Sequence, residues 1–334
     1  MIGIPTNCPP PATPRRRAAG MTLIELMVAL AIGSFLILGA VTVFLQGQNT
    51  FRTNESLARL QEDATFALNI LESDIRMASY FGLTTRPTKI DNRASQQDSH
   101  ALGPNACGAN WAVDLDRFLQ GSNGAYPWTC AADGGAQAGT DTLVVRRAGR
   151  ENVVPQANRM YIQSWRLQPG SIFTGAAAPS ADATSEIHEL VVHGYYVSQT
   201  SALSTPDNAV PSLRRKRLAV GPAIVDEELI PGIEDLQVQF GVDIDPEGDP
   251  GRGVVDRYVA PDDGILDPTD AAFLPDARIL TARIWIRARA ERPEVGYLND
   301  TTYSYAGVNF TPNDGFRRIL VSRTIYVRNA RPAT

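Results

Sequence analysis

The sequence contains few of the residues and motifs from which enzymes build active sites. Its 334 residues include three cysteines, Cys8, Cys107 and Cys130, and three histidines, His100, His188 and His193. There is no Gly-x-Ser-x-Gly, His-Glu-x-x-His or Cys-x-x-Cys motif, and no glycine-rich phosphate loop. His188 and His193 are five positions apart and would point to opposite faces of a strand, so they do not form a catalytic pair. We therefore predict that the protein is not an enzyme.

Negative charge dominates the chain outside its first twenty residues. The whole sequence has 31 basic and 36 acidic residues, a net charge of −5. The first twenty residues hold three arginines and no acid, which leaves −8 for the rest. Such a body repels nucleic acid, so a nucleic-acid partner is not expected. The one dense basic run, 213–217, lacks interleaved aromatic residues, and we interpret it as a charged edge strand rather than a DNA contact.

One apolar block is long enough to cross a membrane. Of the 25 residues from 21 to 45, 19 are apolar and only Glu25 is charged. The uncharged part, 26–45, would span about 30 Å as a helix, the thickness of the bilayer core. Three arginines at 15–17 precede it, which predicts a cytoplasmic N-terminus. A cleaved secretory signal is the alternative, but the block is long for one and no cleavage site of small residues follows it.

The start of this block carries a recognisable motif. The run from Gly20 to Leu30, Gly-Met-Thr-Leu-Ile-Glu-Leu-Met-Val-Ala-Leu, resembles the class III signal of type IV pilins and type II secretion pseudopilins. The resemblance implies that a membrane peptidase cuts between Gly20 and Met21 and methylates the new amine. A buried charge is tolerated when it is paired, so we expect Glu25 to neutralise the Met21 amine of a neighbouring subunit and thereby to set the assembly register.

The helical pattern continues beyond the apolar block. Apolar residues recur at spacings of mostly three and four, which predicts an amphipathic helix ending before Gly82. The predicted buried stripe is Phe51, Leu57, Leu60, Ala64, Leu68, Leu71, Ile75 and Ala78. Charged residues, Asp74 among them, are placed on the other faces. Coiled-coil dimerisation is a competing interpretation of the stripe, which does not keep a strict heptad.

The remainder of the chain predicts a β-rich head. The strand candidates are 142–147, 159–165, 187–197, 236–242, 279–288 and 319–327. Several of them alternate apolar and polar residues, as expected of an antiparallel sheet with one face on a helix. The fold class is therefore α+β, with a long N-terminal helix packed on an antiparallel head, as in a pilin-like αβ-roll with long loops. The segments 61–82, 187–196 and 316–329 resemble the PilW-type minor pilins.

Two further features of the head suggest stabilising elements. Cys107 and Cys130 lie in a loop-rich stretch that would face oxidising conditions, so we predict a disulfide between them, worth about 3 kcal/mol, with two free thiols as the alternative. Cys8 would be lost with the leader.

The second feature is an acidic loop. Carboxylates at alternate positions, followed by Gly248, resemble the first half of a calcium loop and make calcium a candidate cofactor. The candidate ligands are Asp243, Asp245, Glu247, Asp249 and Asp256. Val254 stands where an EF-hand has its final glutamate, and a solvated acidic turn is the alternative.

Together these features predict four segments and one function. The segments are a cleaved basic leader, 1–20, a transmembrane or filament-core helix, 21–45, an amphipathic helix, 46–80, and the head, 81–334. The resemblance implies a minor pilin that is inserted once in the inner membrane with its head in the periplasm, and that later reaches the pilus surface. Its implied partners are prepilin peptidase, other minor pilins and the major pilin, with a tip adhesin as a further candidate. The alternatives are a type II secretion pseudopilin and a membrane-tethered adhesin or DNA-binding module.

Overall fold

The computed structural model describes residues 20–96, 105–179 and 182–330, and the chain divides into two compact units, 1–55 and 56–334. Cys8, the three arginines at 15–17 and His100 lie outside the described residues. In the first unit, the described residues form the N-terminal part of one helix, α1, which spans Leu23–Met77. Within the described residues, α1 is the helix whose length and composition suit a membrane crossing.

Helix α1 ends three residues before the predicted limit of 80. After Met77 the chain turns, and Ser79 and Gly82 adopt φ angles of 62° and 87°. A side chain at Gly82 would collide with the hydroxyl of Ser164 and the ring of His188, because a Cβ there would lie 2.3 Å and 2.9 Å from them. The glycine therefore allows both the left-handed conformation and the close approach.

Within the described residues of the head, fourteen strands follow. They are β1 (Ile90–Asp91), β2 (Leu119–Ser122), β3 (Thr142–Ala148), β4 (Met160–Trp165), β5 (Gly170–Thr174), β6 (Ser185–Ser198), β7 (Ser212–Ala219), β8 (Ala223–Pro231), β9 (Ile233–Asp243), β10 (Arg257–Val259), β11 (Arg278–Arg289), β12 (Tyr303–Tyr305), β13 (Val308–Phe310) and β14 (Arg318–Tyr326). Short 3₁₀ helices lie at Pro87–Lys89, Ala94–Gln96, Leu115–Arg117, Gly175–Ala177 and Gly264–Leu266. All six predicted strands are present.

The strands form two sheets rather than one. Sheet 1 has the order β1-β5-β4-β6-β3-β2, and β7 also pairs with β6 and carries β8. Sheet 2 has the order β10-β9-β11-β14, and β12 and β13 form a separate hairpin. Every pair is antiparallel except β1 with β5. The α+β class, with a long helix and an antiparallel head, is confirmed, whereas the division of the head into two sheets was not predicted.

The main core of the second unit lies around the C-terminal part of α1. The buried apolar residues of α1 are Leu60, Ala64, Ala67, Leu68, Leu71 and Ile75, and buried Ala78 follows the end of the helix. They pack with apolar residues of both sheets, among them Tyr195 of β6, Phe240 of β9 and Ile284 of β11. Leu57 is half-buried, and Phe51, which belongs to the first unit, is 70% exposed. A second core, which includes Trp111 and Cys107, lies beneath the disulfide loop.

Candidate functional site

The predicted processing and assembly residues lie at the start of α1. Thr22 precedes the first helical residue, and its hydroxyl accepts a hydrogen bond from the backbone N–H of Glu25 at 3.3 Å. The same hydroxyl lies 3.5 Å from the Glu25 carboxylate. This arrangement is one half of a capping box, in which threonine and a glutamate three residues later serve the free N–H groups of the first turn.

The surroundings of this segment suit both predicted roles. Gly20 has no atom of the described residues within 4 Å of where its side chain would begin, and Met21 is 62% exposed. Glu25 is also exposed. Among the described residues, none covers the bond between Gly20 and Met21, and cleavage at this bond and the pairing of Glu25 with a neighbouring subunit stay predictions. The Thr-x-x-Glu spacing was readable in the sequence as a helix start, although the sequence prediction did not use it.

A buried carboxylate attaches the C-terminal part of α1 to sheet 1. Asp74 is 3% exposed, and its Oδ1 accepts hydrogen bonds from Arg147 Nε at 3.2 Å and Nη2 at 2.8 Å. Its Oδ2 is hydrogen-bonded to His193 Nδ1 and accepts a hydrogen bond from the Tyr195 hydroxyl. These three partners lie on β3 and β6. The placement of Asp74 on a polar face of the helix was therefore wrong.

The partners of Asp74 determine its ionisation. Burial alone would raise the pKa of this carboxyl, but the hydrogen bonds and charges of His193 and Arg147 outweigh burial and hold the pKa far below its usual value. Burial beside the same carboxylate raises the pKa of Tyr195. Asp74 is therefore a carboxylate that stabilises the fold, and His193 is one of its partners. His188 is buried on the same strand, with Nε2 3.1 Å from Glu186.

The basic run 213–217 forms strand β7, which is not an edge strand as predicted. It pairs with β6 on one side and β8 on the other, and β8 is the edge. The register places three consecutive acids of β8, residues 226–228, opposite Lys216, Arg215 and Arg214. The physical reason for the error is that three acids within eleven residues of the basic run supply a neutralising neighbour strand, which alternation alone does not reveal.

Ion pairs occupy all four basic side chains of β7. Lys216 Nζ lies 2.6 Å from Asp226, and Arg214 lies 2.9 Å from the same carboxylate. Arg215 and Arg217 both pair with Glu227. Burial would raise the pKa of Asp226, but its hydrogen bonds to Lys216, Tyr196 and Arg214 lower it overall. The basic run is therefore neutralised within the sheet.

The predicted disulfide is present beside a group of aromatic rings. Cys107 and Cys130 are joined, with Cα atoms 4.3 Å apart. The hydroxyl of Tyr126 donates a hydrogen bond of 2.9 Å to the carbonyl of Cys130. Tyr126 and Trp128 pack edge to face with centroids 4.9 Å apart. The loop therefore has an aromatic core of its own.

The acidic loop brings together three of the five predicted calcium ligands. Carboxylate oxygens of Asp243, Asp245 and Asp256 lie within 4.8 Å of one another, whereas Glu247 and Asp249 are not part of this group. Burial and the neighbouring carboxylates raise the pKa of Asp245. A cation would relieve this repulsion.

Other contacts already serve part of the same group. The fully buried Asp243 accepts hydrogen bonds from Asp245 N at 3.0 Å and Gly253 N at 2.7 Å, and it lies 3.5 Å from Arg252 Nη1. The Asp256 carboxylate accepts a hydrogen bond of 2.8 Å from the backbone N–H of Ile244. A guanidinium and backbone donors thus hold the loop, and calcium binding stays a prediction.

Comparison with known proteins finds a family match in two parts of the chain. Residues 194–329 match the family model described as Type IV Pilus-assembly protein W, and residues 15–41 match the prokaryotic N-terminal methylation motif. The first match includes β7 to β14, and the second includes Gly20, Met21 and Glu25. The chain is thus type IV pilin-like and carries a PilW domain, and the resemblance drawn from the sequence is confirmed.

The structural and sequence comparisons add little beyond these two matches. A solved structure, the type IV-like pilin TTHA1219 from Thermus thermophilus, is similar to the chain at 13% sequence identity, with a TM-score of 0.34. The alignment covers 82% of this chain and 99% of that one. No curated protein sequence matches significantly.

Proposed function

We propose that this chain, which carries both an N-terminal methylation motif and a PilW domain, is a minor pilin that joins other minor pilins to prime assembly of the type IV pilus, at or near the tip. The presence of both matches in one sequence is the observation that carries the proposal. The methylation motif alone would fit any pilin-like subunit. The PilW domain favours the pilus over the type II secretion system.

The N-terminal geometry supports a mechanism for this role. The apolar part of α1 holds the subunit in the inner membrane, with its N-terminus cytoplasmic and its head periplasmic, and the peptidase cuts after Gly20 without removing this helix. The cut leaves a cationic amine on Met21, close to the exposed Glu25 of the first turn. In the interior of a fibre, each amine needs a carboxylate partner, because an unpaired buried charge costs several kcal/mol. A neighbouring subunit's Glu25 supplies it and sets the register, and the subunit then reaches the pilus surface.

The head supports a structural rather than an enzymatic role. The Asp74 carboxylate is engaged with Arg147 and His193, and these contacts join α1 to sheet 1. The neutralised β7 gives no support to the alternative of a DNA-binding module. A type II secretion pseudopilin and a tethered adhesin are the remaining alternatives, and a tip adhesin is a candidate partner.

A deletion strain tests the proposal. We expect loss of fibres on deletion and their return when the wild-type chain is supplied. Gly20→Ala should leave the precursor uncut on an immunoblot and should not restore fibres. Glu25→Ala should be processed but should assemble poorly, and Glu62→Ala, which changes an exposed acid elsewhere on α1, serves as the control. Normal fibres in the deletion strain would refute the proposal, and fibre loss without a secretion defect would exclude the pseudopilin alternative.

A further inference from the structure

The last strand, β14, is a long edge that has no bulge, proline or lysine, and Arg318 and Arg323 are its charged residues. Its register with β11 runs without interruption from Arg318 to Tyr326, so no bulge bends it. Residues 318–326 contain no proline, lysine or glycine. Exposed edges are usually short, bulged, or rich in lysine or proline, because a flat edge pairs with other chains.

The other free edges of the head do carry such protection. The opposite edge of sheet 2, β10, has only three residues. In sheet 1, the long edge β8 has three consecutive acids, a terminal proline and a register shift against β7. β14 is therefore the edge best suited to accept another strand.

The alternation of backbone groups along an antiparallel strand shows which N–H groups of β14 face its free side. Val327 N donates to Leu280 O of the paired side, so alternation directs the N–H groups of 322 and 324 outward. Within the described part of the chain, the backbone of 318–326 bonds to β11 alone. By the same alternation the N–H of Arg328 also points outward, and it donates a hydrogen bond of 3.3 Å to the Arg76 carbonyl of α1.

At this end the free edge meets a cluster of arginines. A cleft of about 330 Å³ is lined by Arg76, Arg150 and Arg328, together with Glu72. Glu72 already pairs with Arg76 at 3.1 Å and with Arg323. Among the described residues, the side chains of Arg150 and Arg328 have no ionic partner, although the body of the protein is acidic.

We propose that the free edge of β14 binds an extended, acidic segment of another subunit by strand addition, with a carboxylate of that segment in the arginine cleft. A second copy of this chain fits poorly, because antiparallel pairing of two β14 edges would place Arg328 of each copy beside Arg317 and Arg318 of the other. The inference rests on the proposed function, since an assembling subunit needs such a partner.

Photo-crosslinking of the full-length chain in cells tests this inference. The probe is p-benzoylphenylalanine at Ser322, with the same probe at Val225 of β8 as the control position. We expect one product from Ser322, joined to an acidic segment of a different envelope protein, and no such product from Val225. Thr324→Pro removes one outward donor and should reduce the product about fivefold. Thr324→Val keeps the donor and should not reduce it.

Arg328→Glu provides a second variant that leaves the strand backbone unchanged, and it should also reduce the product. The absence of a product, a product within one chain or between two copies, or a product insensitive to both Thr324→Pro and Arg328→Glu would overturn the inference. The proposed function fails separately, if the deletion strain keeps its fibres. If deletion removes fibres but the Thr324→Pro and Arg328→Glu chains each restore both fibres and an undiminished product, the inference alone is wrong.

Discussion

Replacing Asp74 by asparagine should destabilise the head, because it removes the charge that three buried or half-buried partners share. The substitution preserves the shape of the side chain, but its amide group would face Arg147 or the His193 and Tyr195 pair. Removing one partner of a buried ion pair costs about 3–5 kcal/mol. Arg147 and His193 are 14% and 15% exposed, so water can recover part of this cost, and we expect about 3 kcal/mol.

The assay is thermal unfolding of the full-length protein in detergent. For a domain of this size, 1 kcal/mol corresponds to about 2 °C, so Asp74→Asn should lower Tm by about 6 °C. Glu62→Gln, an exposed acid on the same helix, should change Tm by less than about 1 °C. An Asp74→Asn protein that melts with the wild type would refute the view that this carboxylate attaches α1 to sheet 1.

The pH dependence gives an independent test of the same cluster. The pKa of Asp74 is lowered in the folded protein from the value of 3.8 that it has in the unfolded chain. The stability it contributes is therefore present in full above about pH 4 and is lost as the pH falls toward the folded pKa. The Tm difference between wild type and Asp74→Asn should accordingly shrink below about pH 4. A difference that grows in acid would contradict this reasoning.

Three further predictions concern the head. Replacing Cys107 and Cys130 by serine should lower the free energy of unfolding by about 3 kcal/mol, and a reductant should lower the Tm of the wild type but not of the variant. Asp226→Asn should lower the free energy of unfolding, measured with denaturant, by about 3 kcal/mol, because it leaves buried Lys216 unpaired. Glu227→Gln should lower it by less than about 1 kcal/mol, because the partners of Glu227 are more exposed. Equal losses in the two variants would contradict this difference between buried and exposed pairs. Titration with calcium should give a measurable heat of binding and should raise Tm. Asp245→Asn should abolish both effects, whereas Asp249→Asn should preserve them. No heat and an unchanged Tm in the wild type would exclude the calcium site.

The features that the sequence predicted correctly depend on residues close together in the chain. The helix and the six strands follow from periodicity and from short motifs. The disulfide followed from loop composition and an oxidising location, because the head offers one cysteine pair. Local spacing also identified most of the buried stripe of α1, since a helix repeats every 3.6 residues.

The features that the sequence did not predict depend on contacts between residues far apart in the chain. Asp74 was assigned to a polar face because an acid usually lies in water, yet it stands three residues after buried Leu71, on the buried stripe. Its partners are 73 to 121 residues away, on β3 and β6. Likewise, the basic run looked like an edge, and only its pairing with β8 shows that it is internal.

Sequence by itself determined that this chain has a membrane-length helix that begins with an N-terminal methylation motif, and a β-rich head, because hydrophobic blocks and motifs act through near neighbours. Tertiary structure decided which charges are buried, which strand is left as a free edge and how the head divides into two sheets. Those outcomes depend on strand pairing across many tens of residues, where the free energy of a contact is set by what the fold brings beside it.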